Sequence, residues 1–387
     1  MKLFKNRKRI MEYFWKRRNE LTTMAFWKKA CISTIKELDF LNKVSEKDFY
    51  LNLKTIEKRP WNLNIELTNI CNANCIFCAY QFQTREKMVM ADEIYLKALH
   101  EYCDMGGGEL MLEVTVGEPT LDKNLIKRIK EARSKKEITT IETITNGIFL
   151  DKVGIEEFLN SGITRILISV SALDEVIYNK LYRNKNYKRL KLNIFNLLKL
   201  NKEFGEPVDI TLVFKSNLTM KKTLELPDYQ PLKKFPHKVL FTIDFDNWAG
   251  LIKQEDLLDG MYMRYRGALE KEPCFWLYHG PIIYADGKIG LCGCRDLNAN
   301  SELIVGNIKT DRIIDIWQSK KVKELRERYK KGEFPNICQK CTNYCNLELY
   351  RRKTGNERRY FIQKVFKDNL YRSPLSETIK NDTKRLK

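Results

Sequence analysis

The chain carries eleven cysteines and only three histidines. Nine of the cysteines form three groups: Cys71/Cys75/Cys78, Cys274/Cys292/Cys294 and Cys338/Cys341/Cys345. Cys31 and Cys103 stand apart, and Cys103, closing an amphipathic run, reads as a buried core thiol. The basic N-terminus MKLFKNRKRIMEYFWKRR has no uninterrupted apolar stretch, so no secretory signal is expected and the chain is placed in the cytoplasm. Clustered cysteines in that setting point to metal or redox chemistry before structural disulfides. The run Cys71-Asn-Ala-Asn-Cys75-Ile-Phe-Cys78 puts three thiolates within one short loop, enough to wrap one corner of an iron–sulfur cubane. A four-iron cluster takes four ligands, so three leave one iron open, the same logic that separates catalytic from structural zinc. A zinc knuckle is the alternative. With three histidines no histidine-rich metal site can form, and Tyr278, His279 and Tyr344 read as packing.

Those thiols need elements to position them. Residues 1–61 read as a basic helical extension without strand signals. From residue 62 strands and helices alternate. Strands are expected at 62–69, 109–115, 139–144, 164–170, 208–214 and 239–245. Helices are expected at 91–103, 122–134, 154–160, 173–181 and 187–203. Six such units predict an α/β fold with a parallel sheet, and too few strands for a closed eight-stranded barrel, hence an open, partial (β/α)6 barrel. After Gly250 the alternation stops. A cysteine-rich α+β region follows, with a turn at Asp286-Gly287 and one helix at 311–330. It holds too little apolar sequence for a good core, so bound metal is expected to supply stability.

Short motifs follow the strands in order. Gly117-Glu118-Pro119 comes after the second strand, Thr145-Asn146-Gly147 after the third and Ser169 at the end of the fourth, with Ser171 beside it. Arg183 lies downstream, and Asp246-Asn247-Trp248-Ala249-Gly250 follows the sixth. Together with Cys-x3-Cys-x2-Cys and Phe77 before its last cysteine, residues 62–250 resemble the radical S-adenosylmethionine (SAM) enzymes. The resemblance implies a [4Fe-4S] cluster on Cys71, Cys75 and Cys78, with SAM chelating the open iron. It implies that Gly117 and Glu118 help hold the methionine amino group, although Val116 stands where the family has its first glycine. Asn146 would belong to the family's TNG turn, Ser169 would meet the ribose, Phe77 would lie near the adenine, and Arg183 matches a common arginine. The activity implied is reductive SAM cleavage to a 5′-deoxyadenosyl radical that abstracts hydrogen from substrate. An external one-electron reductant such as flavodoxin or ferredoxin is then required.

The later cysteines resemble the family's SPASM/Twitch extension. Cys274-x12-Gly287-x4-Cys292 is followed by Gly306-Asn307-Ile308, Ile316-Trp317 and Cys338-x2-Cys341. Four ligands, Cys274, Cys292, Cys338 and Cys341, suffice for one auxiliary [4Fe-4S] cluster. The chain then reads Cys338-x2-Cys341-x3-Cys345 and has no further cysteine, short of the set for two clusters. Cys294 and Cys345 are surplus and are candidate hydrogen donors. A zinc staple is the alternative for this region. The expected divisions are 1–61, the core at 62–250, the auxiliary region at 251–350 and a tail at 351–387.

Net charge is +20, with hydrophobic residues at 43% and aromatics at 11%, which excludes a disordered chain. The charge is polarised. Residues 1–30 and 351–387 each carry +8, while the body between them carries +4. Solvated tails are one reading. Attraction to an anionic membrane face is the other, given the aromatics Phe4, Tyr13, Phe14, Trp15, Phe26 and Trp27 among the N-terminal charges. A nucleic-acid enzyme would place such charge around its cleft, so nucleic acid is not an expected partner. The expected substrate is a hydroxylated small molecule, a sugar, amino sugar or glycan precursor, undergoing dehydrogenation or epimerisation. Maturation of a ribosomal peptide and a non-enzymatic iron–sulfur module are the alternatives.

Overall fold

The structure is a computed structural model that describes residues 57–60, 62–113, 115–242, 244–264, 273–292 and 295–344. The basic termini, Cys31, Cys294 and Cys345 lie outside the described residues.

Six parallel strands form the body: β1 (Asn62–Ile65), β2 (Gly108–Leu112), β3 (Ile138–Thr145), β4 (Arg165–Val170), β5 (Asp209–Lys215) and β6 (Lys238–Thr242). They pair in sequence order, which makes the expected open, partial barrel. β1 is buried on both faces, as a parallel strand covered by crossover helices should be. α1 (Asp92–Asp104) buries Ile94, Tyr95, Ala98, Leu99 and Tyr102, one stripe at helical spacing. α2 (Leu125–Arg133) and α3 (Ile155–Leu159) cover the next crossovers. α4 (Glu175–Tyr182) starts where the Asp174 side chain accepts from Ile177 N, and ends at Arg183 in the left-handed region. α5 (Tyr187–Glu203) buries Leu190, Ile194, Leu197 and Leu198.

Some boundaries differ from expectation for identifiable reasons. β1 ends at Ile65, and the next residue, Glu66, makes a two-bond pair with Arg85 through its carboxylate, at 2.8 and 2.5 Å. β2 stops at Leu112 because Glu113 takes φ 69°. The sixth expected strand breaks, and β7 (Asp244–Phe245) pairs instead with β8 (Tyr262–Met263) in a small separate ladder.

The cysteine-rich region is built onto the barrel. β9 (Ile282–Ile283) pairs in parallel with β1, and β10 (Lys288–Gly290) and β11 (Ile304–Asn307) follow antiparallel. The result is one nine-stranded sheet, β11-β10-β9-β1-β2-β3-β4-β5-β6. Gly287, at φ 92°, closes the β9–β10 turn. The expected helix at 311–330 is two helices, α6 (Ile313–Trp317) and α7 (Lys320–Lys330). They divide at Ser319, whose side chain caps the second by accepting from Val322 N. The expectation of a poor core here is also corrected. Ile289, Leu291, Leu303, Ile308, Trp317, Val322 and Tyr329 are buried in the same hydrophobic cluster as the barrel strands. The region borrows its core: Glu101 on α1 accepts from Ile313 N at 2.7 Å, and Lys97 donates to Ile308 O. Among the described residues no helix is long and apolar enough to cross a membrane.

Candidate functional site

The loop after β1 carries Cys71, Cys75 and Cys78 at the carboxyl end of the parallel strands, where open α/β sheets bind ligands. It is zipped to the end of α4: Asn74 N and Ile76 N donate to the carbonyls of Tyr182 and Leu181. Asn72 fixes its other side, accepting from Asn146 Nδ2 at 2.6 Å through its side chain and from Asn184 Nδ2 at 2.7 Å through its carbonyl. Burial pushes all three thiols up. Glu118 raises Cys71 further, and Cys78 and Cys71 raise Cys75. Three cysteine thiols on one partly buried loop form a donor set suited to iron. Among the described residues no three His, Cys, Asp or Glu side chains converge on a point fit for a single metal ion.

The glycine of Gly117-Glu118-Pro119 is dictated by space. A Cβ there would lie 2.1 Å from Thr68 O and 2.9 Å from the Glu113 carboxylate. Glu118 is fully occupied. Its Oε1 accepts from Thr120 N, Thr120 Oγ1 and Thr145 Oγ1 at 3.2, 2.7 and 2.5 Å, and its Oε2 from Asn146 N at 2.7 Å. Its carboxylate therefore ties the loop after β2 to the loop after β3. Asn146 spends its own oxygen on Ile148 N and its amide on Asn72. Ser169 is half-buried with its hydroxyl 3.0 Å from Tyr182 OH, whereas Ser171 is buried and donates to Ala172 O. Phe77 is buried between the rings of Tyr182 and Phe245, each at 5.5 Å. Arg183 is exposed and reaches Gln81 Oε1 at 3.0 Å.

Cys274, Cys292, Cys338 and Cys341 line one small cavity together with Leu303, Tyr329 and Arg295. Tyr329 OH lies 2.9 Å from Cys338 Sγ. Burial pushes Cys338 up to about 12, and the Tyr329 hydroxyl opposes that rise. Burial also raises Cys341, against the pull of the Arg295 guanidinium. Cys103 is half-buried on α1, outside both groups. Tyr278 and His279 are buried, and burial lowers His279 to about 4.

Sequence reasoning missed three side chains here. Lys215 ends β5 with its ammonium 5.1 Å from the Phe77 ring, and its charge favours the thiolates of Cys75 and Cys78. A lysine closing the apolar run VDITLVF was the available signal. Glu113 is buried and raised well above the carboxylate range by burial and then by Glu66. Arg295 gave no signal.

Residues 65–225 match the Radical SAM superfamily, and residues 274–342 match SPASM, an iron-sulfur cluster-binding domain. A GTP 3′,8-cyclase of Clostridium perfringens is 30% identical over 264 residues, 61% of this chain and 75% of that protein. The chain belongs to the radical SAM superfamily. As a radical SAM enzyme with a SPASM domain it uses a [4Fe-4S] cluster with SAM and an auxiliary iron–sulfur cluster. A second GTP 3′,8-cyclase, from Staphylococcus haemolyticus, is 24% identical over 211 residues, 51% of this chain and 60% of that protein, less than two thirds of its length. Among solved folds, Streptococcus suis SuiB bound to precursor peptide SuiA superposes with TM-score 0.53 at 17% identity, covering 79% of this chain and 76% of SuiB. BtrN in complex with AdoMet and 2-DOIA superposes with TM-score 0.51 at 18% identity, covering 73% of this chain and 93% of BtrN.

Proposed function

We propose that this radical SAM enzyme removes hydrogen from a hydroxylated small molecule, a sugar, amino sugar or glycan precursor, and that dehydrogenation is the outcome. The observation that carries the reading is the cavity of four thiols fused, through β9, to the edge strand that leads into the Cys71–Cys78 loop. A closed four-ligand centre on the same sheet suits acceptance of the second electron of a two-electron oxidation.

Cys71, Cys75 and Cys78 would hold the first cluster, and Cys274, Cys292, Cys338 and Cys341 the second. SAM bound at the first cluster supplies the radical chemistry that attacks an unactivated C–H bond. The chain's own contribution is placement. Glu118 braces two loops through four hydrogen bonds, and Gly117 leaves room beside Thr68. Ser169, half-buried and backed by Tyr182, offers a hydroxyl to a ribose. Lys215 offers a cation at the mouth of the barrel, and Phe77 and Tyr182 form an apolar wall that excludes water.

GTP cyclisation is the second reading, favoured by the 30% identity to the Clostridium perfringens protein. The test incubates reconstituted enzyme with SAM, a reductant and, separately, amino sugars, nucleotide sugars and GTP. Formation of 5′-deoxyadenosine with a product two mass units lighter than a sugar substrate is the expected result. Turnover of GTP alone, or of a peptide alone, overturns the proposal.

A further inference from the structure

The turn Asp246-Asn247-Trp248-Ala249-Gly250 touches both cysteine sites. Trp248, Ala249 and Gly250 take φ 47°, 57° and 95°, so two successive non-glycine residues sit in the left-handed region. Each such residue costs on the order of 1–3 kcal/mol and persists only where its surroundings hold it. Contacts from two directions hold this one. Trp248 Nε1 donates to the carbonyl of Phe77 at 3.0 Å, immediately before Cys78. Asn247 Nδ2 donates to Lys340 O at 2.8 Å, and Asn247 N donates to Thr342 Oγ1 at 2.9 Å, the two residues flanking Cys341. Thr342 N returns a bond to Asn247 Oδ1 at 3.1 Å.

An ion pair completes the bridge. The Asp246 carboxylate accepts from Trp248 N at 2.9 Å and pairs with Arg295, whose Nε and Nη2 lie 2.5 and 2.6 Å from its two oxygens. The Arg295 guanidinium covers the Trp248 ring at 4.5 Å and lines the four-thiol cavity. The Arg295 and Asp246 side chains are only 13% and 15% exposed, so solvent screens the pair weakly.

We infer that Asp246 and Arg295 form an oriented charge pair that holds the potentials of the two clusters apart. The carboxylate end disfavours an added electron on the Cys71–Cys78 cluster, and the guanidinium end favours one on the auxiliary cluster. This rests on the cluster assignment proposed above. The orientation follows from the geometry: Arg295 lines the four-thiol cavity, whereas Asp246 accepts from Trp248 N, and the Trp248 ring donates to the carbonyl beside Cys78. The sense of the pair fits an enzyme whose first cluster gives up its electron and whose second accepts one. Both residues are positioning residues and need touch no substrate.

The test is a redox titration of the reconstituted full-length enzyme, with each cluster followed by its own paramagnetic resonance signal. Arg295→Gln should move both midpoint potentials to more negative values, the auxiliary cluster further. Asp246→Asn should move both to more positive values, the Cys71–Cys78 cluster further. The double variant, with iron content equal to wild type, should bring the two potentials closer together. Shifts of the same sign in both single variants, or a double variant with the wild-type separation, overturn the inference. Wild-type enzyme with iron–sulfur signals from only one cysteine group overturns the cluster assignment instead, and that outcome is visible before any variant is made.

Discussion

The two cysteine sites are built in opposite ways. Cys71, Cys75 and Cys78 sit in one loop after one strand, and the fold's task is to brace that loop through Asn72, Asn146 and the end of α4. Cys274, Cys292, Cys338 and Cys341 come from distant segments, and sheet extension, α7 and the 246–250 turn bring them together. Their surroundings differ as well. The first site has carboxyls beside it, Glu118 and Glu113, with Lys215 as counterweight. The second has a tyrosine hydroxyl on one sulfur and a guanidinium in its wall. A local site with three ligands can leave an iron open to substrate. A dispersed site with four ligands closes its cluster and staples the segments that supply it.

The strongest way to break this contrast is to remove one set of thiols at a time. Replacing Cys71, Cys75 and Cys78 with Ala should abolish SAM cleavage and leave about half of the roughly eight irons of two four-iron clusters. Replacing Cys274 and Cys338 with Ala should also halve the iron, yet leave SAM cleavage without product, and should lower the melting temperature more. Iron analysis, 5′-deoxyadenosine assay and thermal melts decide it, and zinc in place of iron–sulfur absorption would refute both sites. A smaller effect should come from Gly117→Ala. With Thr68 O 2.1 Å from the new Cβ, the loop must shift, at about 1–3 kcal/mol of stability, and SAM affinity should fall while auxiliary iron stays. Unchanged denaturant midpoint and SAM binding would contradict the crowding. The smallest effect should come from Tyr329→Phe, which deletes the hydroxyl on Cys338 at about 0.5–1.5 kcal/mol. It should make the auxiliary potential more negative and leave the other cluster alone, which sharpens the separation between the sites.

The same contrast explains what could be read in the sequence. The layout of the first site was legible because its cysteines and its strand are contiguous, and the GEP and TNG turns follow strands whose apolar runs are plain. The four cysteines of the second site were legible through their resemblance to a family pattern, but their junction with the barrel was not. β9 is a two-residue strand, and nothing in Ile282-Ile283 names β1 as its neighbour. The poor-core expectation failed because Trp317 and Tyr329 belong to one buried cluster with the barrel strands, which no local run of sequence reveals. Glu118 was legible as a motif residue and not as a brace, because its four donors come from the loop after β2 and from the end of β3 with the residue that follows it. Arg295 acquires meaning only through Asp246 and Trp248, which lie far from it in sequence.

The pairing of β1 with β9 also bears on how the protein is born. Asn64 waits for Ile282, so roughly 220 residues must leave the ribosome before that edge is satisfied, on the order of 10–40 s of synthesis. During that interval one edge of β1 has unpaired backbone groups, the kind of template on which nascent chains join wrongly. Contacts of such long sequence separation slow folding, because their loop closure comes before their reward. Production of this enzyme should therefore improve at low temperature, with slowed synthesis or with added chaperone. Chains cut short before residue 282 should aggregate although all six barrel strands are present.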